Sequence, residues 1–342
     1  MDFAFAGKGI DFTCLHNCDC LYSRPLCVEI RWRQVFFNVV CIRFCIFVSW
    51  LVWCIFLHID LYIHFFYFKE KYIKEIKLKF SVLMSVYIKE KPCFLRHCLD
   101  SLHNQILRAD EIVLVEDGEI TKELESVILE YACFMPIKTV KLSCNQGLAA
   151  ALNEGLKHCS HDLVARMDTD DVSLPNRFKC QIEFMMLHPD VDVCGSWFEE
   201  KNQALEGKSF VKKLPISHEA ITRYARHFSP MCHAACMYKK KAVVAGGGYP
   251  LIFPEDYALW SLMLMNGYRF QNIPEILMCV RGGDGLIARR GLEFFKGEVG
   301  LLVYQKSIGF LNLGNFLINF MTHAIIRLSP FFVRKILYKF AR

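Results

Sequence analysis

"KFSVLMSVY", residues 79–87, sets the pattern for the chain that follows it. Apolar and β-branched residues dominate it, as in a strand buried on both faces of a parallel sheet. Pro92 then opens a helix through about Gln105, with Phe94, Leu95, Cys98, Leu99 and Leu102 at helical spacing. "EIVLVEDG" (111–118) reads as a second strand, ending in two acids and a glycine. A helix follows over Thr121–Tyr131, a third strand at "IKTVKL" (137–142) and a helix over 145–159, "NQGLAAALNEGLKHC". "DLVARMD" (162–168) is a fourth strand. Strands alternating with helices of about ten to fifteen residues predict an α/β fold with a mostly parallel, doubly wound sheet. Such sheets bind ligands outside the carboxyl ends of their strands. Tyr87, Glu116, Asp117, Asp168 and Asp170 all fall at such ends. Further on, Pro175 starts an amphipathic helix and "VDVCGSWF" (191–198) is another strand. Residues 217–281 mix helix and strand, and Tyr257, Trp260, Leu264 and Met265 give the "PEDYALW" helix its apolar face.

The 342 residues allow one large α/β domain with additions. A formal charge of +6 does not make nucleic acid the default partner, while 54% hydrophobic residues is high for a purely soluble protein. Between Val299 and Arg342 there are six Lys/Arg and no Asp/Glu, a basic apolar tail suited to an anionic membrane surface. Of 17 cysteines, the ten after residue 80 read as buried small side chains in a reducing compartment. The Cys14–Cys20 cluster lacks the second half of a zinc finger.

Residues 1–79 differ in character. "FCIFVSWLVWCIFLHI" (44–59) has no charged residue, yet Arg43 and Asp60 bracket it and His58 interrupts it. It lies too deep for a signal peptide. Two expectations stand: a membrane anchor, or a non-native extension ahead of a true start near Phe80.

"RMDTDD" (166–171) concentrates three carboxylates at the fourth strand end. Carboxylates in Asp-x-Asp suit Mg2+ or Mn2+, ions that keep waters and bind substrate phosphates. The motif is equally an acidic turn ahead of the Pro175 helix, with Asp171 as its cap. Glu255-Asp256 starts a later helix, where a carboxylate can take a proton from a hydroxyl or simply cap the helix.

Taken in order, the Tyr87 strand end, "LVEDG", "NQGLAAALNEGL", "ARMDTDD" and "PEDYALW" resemble the family 2 glycosyltransferases of GT-A fold. The resemblance is to the subgroup building bacterial exopolysaccharide and lipopolysaccharide (amylovoran-type) repeat units, and it covers residues 80–285. It implies a glycosyltransferase domain there; composition reads 1–79 as a hydrophobic segment and 286–342 as basic amphipathic helices. Tyr87 matches the residue packing on the nucleotide base, and Asp117 the acid bonding that base. Glu90 lies in the same loop as Tyr87. Asp168 matches the acid near ribose and diphosphate, and Asp170 the metal ligand. Arg166 stands where a donor-side arginine is kept, suited to pair with phosphate. Asp256 matches the catalytic base of inverting members, with Glu255 beside it, and Arg281 resembles a late positive residue near the site. His233 is followed by Ala234 and Ala235 in place of Pro-Thr, and Ala258 replaces a usual acid; both departures touch the acceptor side.

The resemblance implies transfer of a hexose from a nucleotide sugar, UDP-linked by expectation, to a lipid-linked or oligosaccharide acceptor, with Mn2+ or Mg2+ and inversion. It places the enzyme at the cytoplasmic face of the inner membrane, peripheral or anchored through 1–79. In "FLINFMTHAIIRLSPFFVRKILYKFAR" (316–342), Pro330 separates two helices that read as interfacial or as packed on the domain. Asp168-Thr-Asp170-Asp171-Val172 also fits haloacid-dehalogenase-type phosphatases, whose first Asp is a nucleophile. A catalytically silent, membrane-associated nucleotide-binding protein is a third reading.

Overall fold

The computed structural model describes residues 78–207, 209–282 and 291–330, together with Trp50, 53–58 and 332–333. The chain divides into two compact units, Met1–Ile76 and Lys77–Arg342. In the first unit, Trp50 and residues 53–58 are helical; the rest of the expected anchor or extension, and the Cys14–Cys20 cluster, lie outside the described residues.

The second unit is built on strands β1 (Phe80–Val86), β2 (Glu111–Glu116), β3 (Ile137–Lys141), β4 (Leu163–Arg166), β5 (Val172–Ser173), β6 (Val193–Lys201), β7 (Phe210–Lys212), β8 (Met237–Lys239) and β9 (Phe270–Arg281). They form one sheet in the order β3-β2-β1-β4-β8-β6-β9-β5, with β7 on β6. The helices are α1 (Pro92–His103), α2 (Lys122–Ala132), α3 (Leu148–His158), α4 (Arg177–Leu187), α5 (His218–Tyr224), α6 (Lys240–Ala245), α7 (Glu255–Met265), α8 (Leu292–Ser307) and α9 (Leu313–Leu328).

β1 is central, parallel to both β2 and β4. Its alternate side chains enter different cores, which is why the strand reads as continuously apolar. Val82, Met84 and Val86 face a core shared with α1, α2 and α4. Leu83 faces the opposite core with Leu152 and Leu156 of α3 and Leu259, Trp260 and Met263 of α7. Two covered faces require apolar residues at both parities of a strand.

The four βα units of the first half are parallel as expected, whereas the second half is mixed. β8 runs antiparallel to β4 and β6, β6 runs parallel to β9, and β5 runs antiparallel to β9. α4, α5, and α6 with α7 each join strands that are not neighbours in the sheet, so no βαβ crossover fixes the direction of adjacent strands here. The two-residue β5 was not expected. It pairs Val172 with Cys279 and Ser173 with Met278, which carries the end of β9 back to the acidic turn. The helix expected at Pro175 starts at Arg177.

Of the ten later cysteines, Cys98, Cys159, Cys194, Cys236 and Cys279 are buried, but Cys93, Cys133 and Cys144 are exposed. Those three sit on solvent-facing helix and loop positions, so burial explains only part of the cysteine usage. All ten are free thiols.

Two glycines should respond oppositely to alanine. A Cβ at Gly155 would lie 2.7 Å from Val115 Cγ2, because α3 packs its glycine directly on the sheet. Gly155→Ala should destabilise by about 1–3 kcal/mol. Gly300 sits within α8 with nothing within 4 Å of its added Cβ. Gly300→Ala should stabilise by about 0.8–1 kcal/mol. Urea midpoints at unchanged m value are the readout.

Candidate active site

The candidate site lies at the carboxyl ends of β1, β2 and β4. Tyr87 follows β1 and is 40% exposed. Beside it, the Asp117 amide donates to the Val86 carbonyl (2.8 Å), bringing the two strand ends together. The Asp117 carboxylate accepts from the Gln146 amide (2.7 Å) and the Gly147 amide (3.0 Å), and Asn145 Nδ2 donates to the Asp117 carbonyl (3.2 Å). An acid thereby holds the two backbone N–H groups that lead into α3, whose N-cap Gly147 has no side chain to bond them. Gly118 next to it has φ +83°, and a Cβ there would meet Asn145 N at 2.6 Å. "DG" and "NQG" are therefore two halves of one interlocked turn.

The acidic turn leaves β4 over a buried arginine. Arg166 is fully buried. It donates to Asp168 Oδ1 (2.6 Å) and to the Met167 carbonyl, and its Nε has no partner. Burial opposes its charge, but Asp168, Tyr249, Tyr238 and Glu255 together outweigh that, so its pKa is raised. A second buried arginine, Arg177, donates to the Arg166 carbonyl (2.6 Å) and ties α4 to β4. Thr169 Oγ1 donates to Glu90 Oε2 (2.6 Å), linking the turn to the loop after β1. Asp170 is half-buried, and burial with the charges of Asp168 and Glu90 pushes its pKa up to about 6. Asp171 is buried and well above the usual carboxylate range, through burial and then Asp170 and Asp168.

Asp171 does not cap the following helix. It accepts from the Arg281 amide (2.9 Å), at the end of β9, and Asn176 occupies the N-cap of α4. The Arg281 guanidinium donates to the carbonyls of Asp170 and Gln203, meets His97 Nδ1 at 2.9 Å and lies over the Phe94 ring, 4.1 Å from its centre. One side chain thus joins the acidic turn, the β6–β7 connection and α1.

On the other side, Glu255 and Asp256 open α7 behind Pro254, which offers no capping side chain. Burial raises the pKa of Glu255. Burial, then the charges of Glu255 and Asp168, push Asp256 up to about 7, against the Tyr257 amide, which favours the carboxylate. His233 Nε2 meets Tyr249 OH at 3.1 Å, and Tyr249 OH meets Tyr238 OH at 3.2 Å. Burial, then Arg166, hold His233 well below its ordinary pKa, so it stands as a neutral core histidine. Ala258 is fully buried against Tyr257 and Leu301 of α8, a contact with no room for a charged side chain.

Among the described residues no group of three or more His, Cys, Asp or Glu is arranged to hold a metal ion by itself. The donor set is instead two half-buried acids, Asp168 and Asp170, with the charge of Asp168 adding to burial in raising the proton affinity of Asp170. That chemistry fits a hard divalent cation whose shell is completed by water and substrate phosphate.

The model of the glycosyl transferase family 2 domain matches residues 81–246. The "amylovoran biosynthesis glycosyltransferase AmsE" of Erwinia amylovora is 41% identical over 265 residues, 76% of this chain and 98% of that protein. The chain belongs to glycosyl transferase family 2. It is a glycosyltransferase. An Escherichia coli relative, "UDP-Gal:alpha-D-GlcNAc-diphosphoundecaprenol beta-1,3-galactosyltransferase", is 38% identical over 263 residues, 76% of this chain and 95% of that one. The fold is that of GT-A glycosyltransferases. Staphylococcus aureus TarS 1–349, solved with UDP-GlcNAc, superposes with TM-score 0.55 at 19% identity over 72% of both chains. The Pyrobaculum calidifontis mannosyltransferase PcManGT, solved with GDP-Man and Mn2+, superposes with TM-score 0.53 at 15% identity over 82% of this chain and 87% of that one. Neither the phosphatase nor the silent-protein reading gains support; the Asp-x-Asp motif ends the fourth strand rather than the first.

The structure gathers Glu90, Arg166, Asp168, Asp170, Glu255 and Asp256 into one electrostatic neighbourhood. Tyr87 and Asp117 sit beside it at the β1 and β2 ends. The roles of Asp171, Asp117 as a cap and Arg281 as a clamp had no local signal, because each partner lies far along the chain.

Two outcomes follow from this geometry. Arg281→Ala should loosen the acidic turn and raise the donor KM on the order of tenfold. Arg281→Lys should not restore it, since an ammonium cannot reproduce a planar, multi-acceptor fork. Steady-state kinetics across donor concentration read both. Asp256→Asn should raise Tm. A carboxyl whose folded pKa is raised contributes stability at low pH and loses it as pH climbs from its unfolded value to about 7. The Tm gain of Asp256→Asn should therefore widen between roughly pH 4 and 7 and level off above that in thermal melts.

Proposed function

We propose that this enzyme transfers a hexose from a nucleotide sugar, a UDP-hexose, to a lipid-linked or oligosaccharide acceptor with inversion, in bacterial surface-polysaccharide synthesis. The observation carrying this reading is Asp256: a half-buried carboxylate with a pKa near 7, across from the acidic turn at the β4 end. A base with that affinity is matched to taking a proton from a hydroxyl near neutral pH.

Asp256 takes the proton of an acceptor hydroxyl. That oxygen bonds to the anomeric carbon as the bond from that carbon to the nucleoside diphosphate breaks, and configuration inverts. The diphosphate leaves with the electron pair. Tyr87 and Asp117 would face the base, and Asp168 the ribose and diphosphate. Arg166 acts through Asp168, which it holds from beneath (2.6 Å). Asp168 and Asp170 would hold Mn2+ or Mg2+, which neutralises charge on the departing diphosphate. Glu255 raises the proton affinity of Asp256 by its charge.

The acceptor class is supported by the E. coli relative, whose name specifies a diphosphoundecaprenol-linked sugar. A lipid-linked acceptor supports work at the cytoplasmic face of the inner membrane. No helix among the described residues is long and apolar enough to cross a membrane.

Asp256→Asn should abolish transfer while UDP binding, read by calorimetry with Mn2+, stays within about threefold of wild type; lost UDP binding would count against the base role. The wild-type kcat/KM should rise with pH through about 7 as Asp256 ionises, measured by UDP release at saturating metal.

A further inference from the structure

α9 is inside out. Its polar residues face the protein: Asn319 donates to the Arg226 carbonyl (2.7 Å) and meets His227 Nδ1 at 2.8 Å. Arg327 makes a two-pronged pair with Glu298 of α8, at 2.8 and 2.7 Å, and His323 lies 3.6 Å from the same carboxylate. The outward face carries Leu313, Leu317, Ile318, Met321, Ile325 and Leu328, all more than half exposed, with Leu317 at 51%, Met321 at 57% and Ile325 at 61%. No charged residue interrupts it. A helix against water shows the reverse order, and an apolar patch of this extent marks an interaction surface.

We propose that this face of α9 lies in the surface of an anionic lipid bilayer and so presents the acceptor side of the active site to the membrane; the second clause rests on the lipid-linked acceptor proposed above. Charge complementarity selects the occupant. The twelve residues after Pro330, "FFVRKILYKFAR", hold four Lys/Arg and no acid. Basic residues flanking an apolar helix face favour anionic headgroups. The same charge disfavours a two-fold contact between copies, which would set like against like.

Continuity with the site supplies the second argument. The Phe294 ring of α8 lies under the Arg327 guanidinium (4.9 Å) and edge-on to Phe253 (5.1 Å). Phe253 and Leu251, the latter 76% exposed, belong to the loop that runs directly into Glu255-Asp256. α8 in turn packs on α7, through Leu301 on Ala258 and Gln305 Nε2 donating to Ser261 Oγ (2.8 Å). A bilayer against α9 is thus held at a set position relative to the base.

The test is flotation with vesicles of phosphatidylglycerol and phosphatidylethanolamine, against phosphatidylcholine alone. It uses the full chain and residues 77–342, which contain the whole sheet and its cores. Residues 77–342 should float with the anionic vesicles. The triple substitution Leu317→Glu, Met321→Glu, Ile325→Glu should weaken that partition on the order of a hundredfold or more, and the milder triple serine change should weaken it less. Both variants should keep wild-type Tm and UDP release with a soluble acceptor. Flotation of 77–342 unaffected by the glutamates, or absent in wild type, overturns the docking face. So does a wild-type dimer in sedimentation that the glutamates dissociate. Retained UDP release in either case leaves the glycosyltransfer reading intact; its loss in wild type would count against that reading instead.

Discussion

Carboxylates crowded at the end of a parallel sheet repel one another, and much of this fold exists to hold them there. Burial, with the charges of neighbouring acids, raises the proton affinity of Asp170, Asp171, Glu255 and Asp256. Two buried arginines offset that repulsion from below: Arg166 bonds Asp168 directly, and Arg177 anchors the strand beneath. Arg281 closes the arrangement from the side, binding backbone and side-chain oxygens of the turn from the end of β9. Buried charges of this kind persist only when paired. The clamp leaves Asp168 and Asp170 half-buried and able to meet a ligand.

The second half of the sheet meets that constraint. β8 runs antiparallel to β4 and β6, and β9 runs parallel to β6, so β9 ends at the same edge as β4. β5 pairs antiparallel with β9, and Arg281 arrives beside Asp170 and Asp171. The acceptor side is built differently, by stacking. α7 carries Asp256, the proposed base, α8 packs on α7, and α9 packs on α8 through a charged pair. Catalytic geometry and the apolar outer face of α9 are therefore parts of one rigid stack.

Local pattern was enough for the first half of the catalytic domain. Continuous apolar runs at 80–86, 111–116 and 163–166 became strands covered on both faces, as two-sided burial demands. The order of strand-end residues pointed to the family, and Tyr87, Asp117, Asp168 and Asp170 do lie at neighbouring strand ends. β5, β7, β8 and β9 were not legible one by one: they are short or irregular, and their partners lie up to about a hundred residues away. Asp171 looked like a helix cap because capping is the commonest local use of an acid there; its partner is Arg281, which no spacing rule relates to it.

The sequence alone determined the α/β class, the family and the set of acids, because periodicity and residue type are written locally. Only the tertiary structure decided the setting of each acid. Burial and neighbouring charge, not identity, push Asp256 up to about 7, Asp170 up to about 6 and Asp171 well above the usual range, and burial belongs to packing. The same holds for α9, whose apolar residues show a helix whichever way it faces. Their outward direction follows from Asn319 and Arg327 finding partners inside.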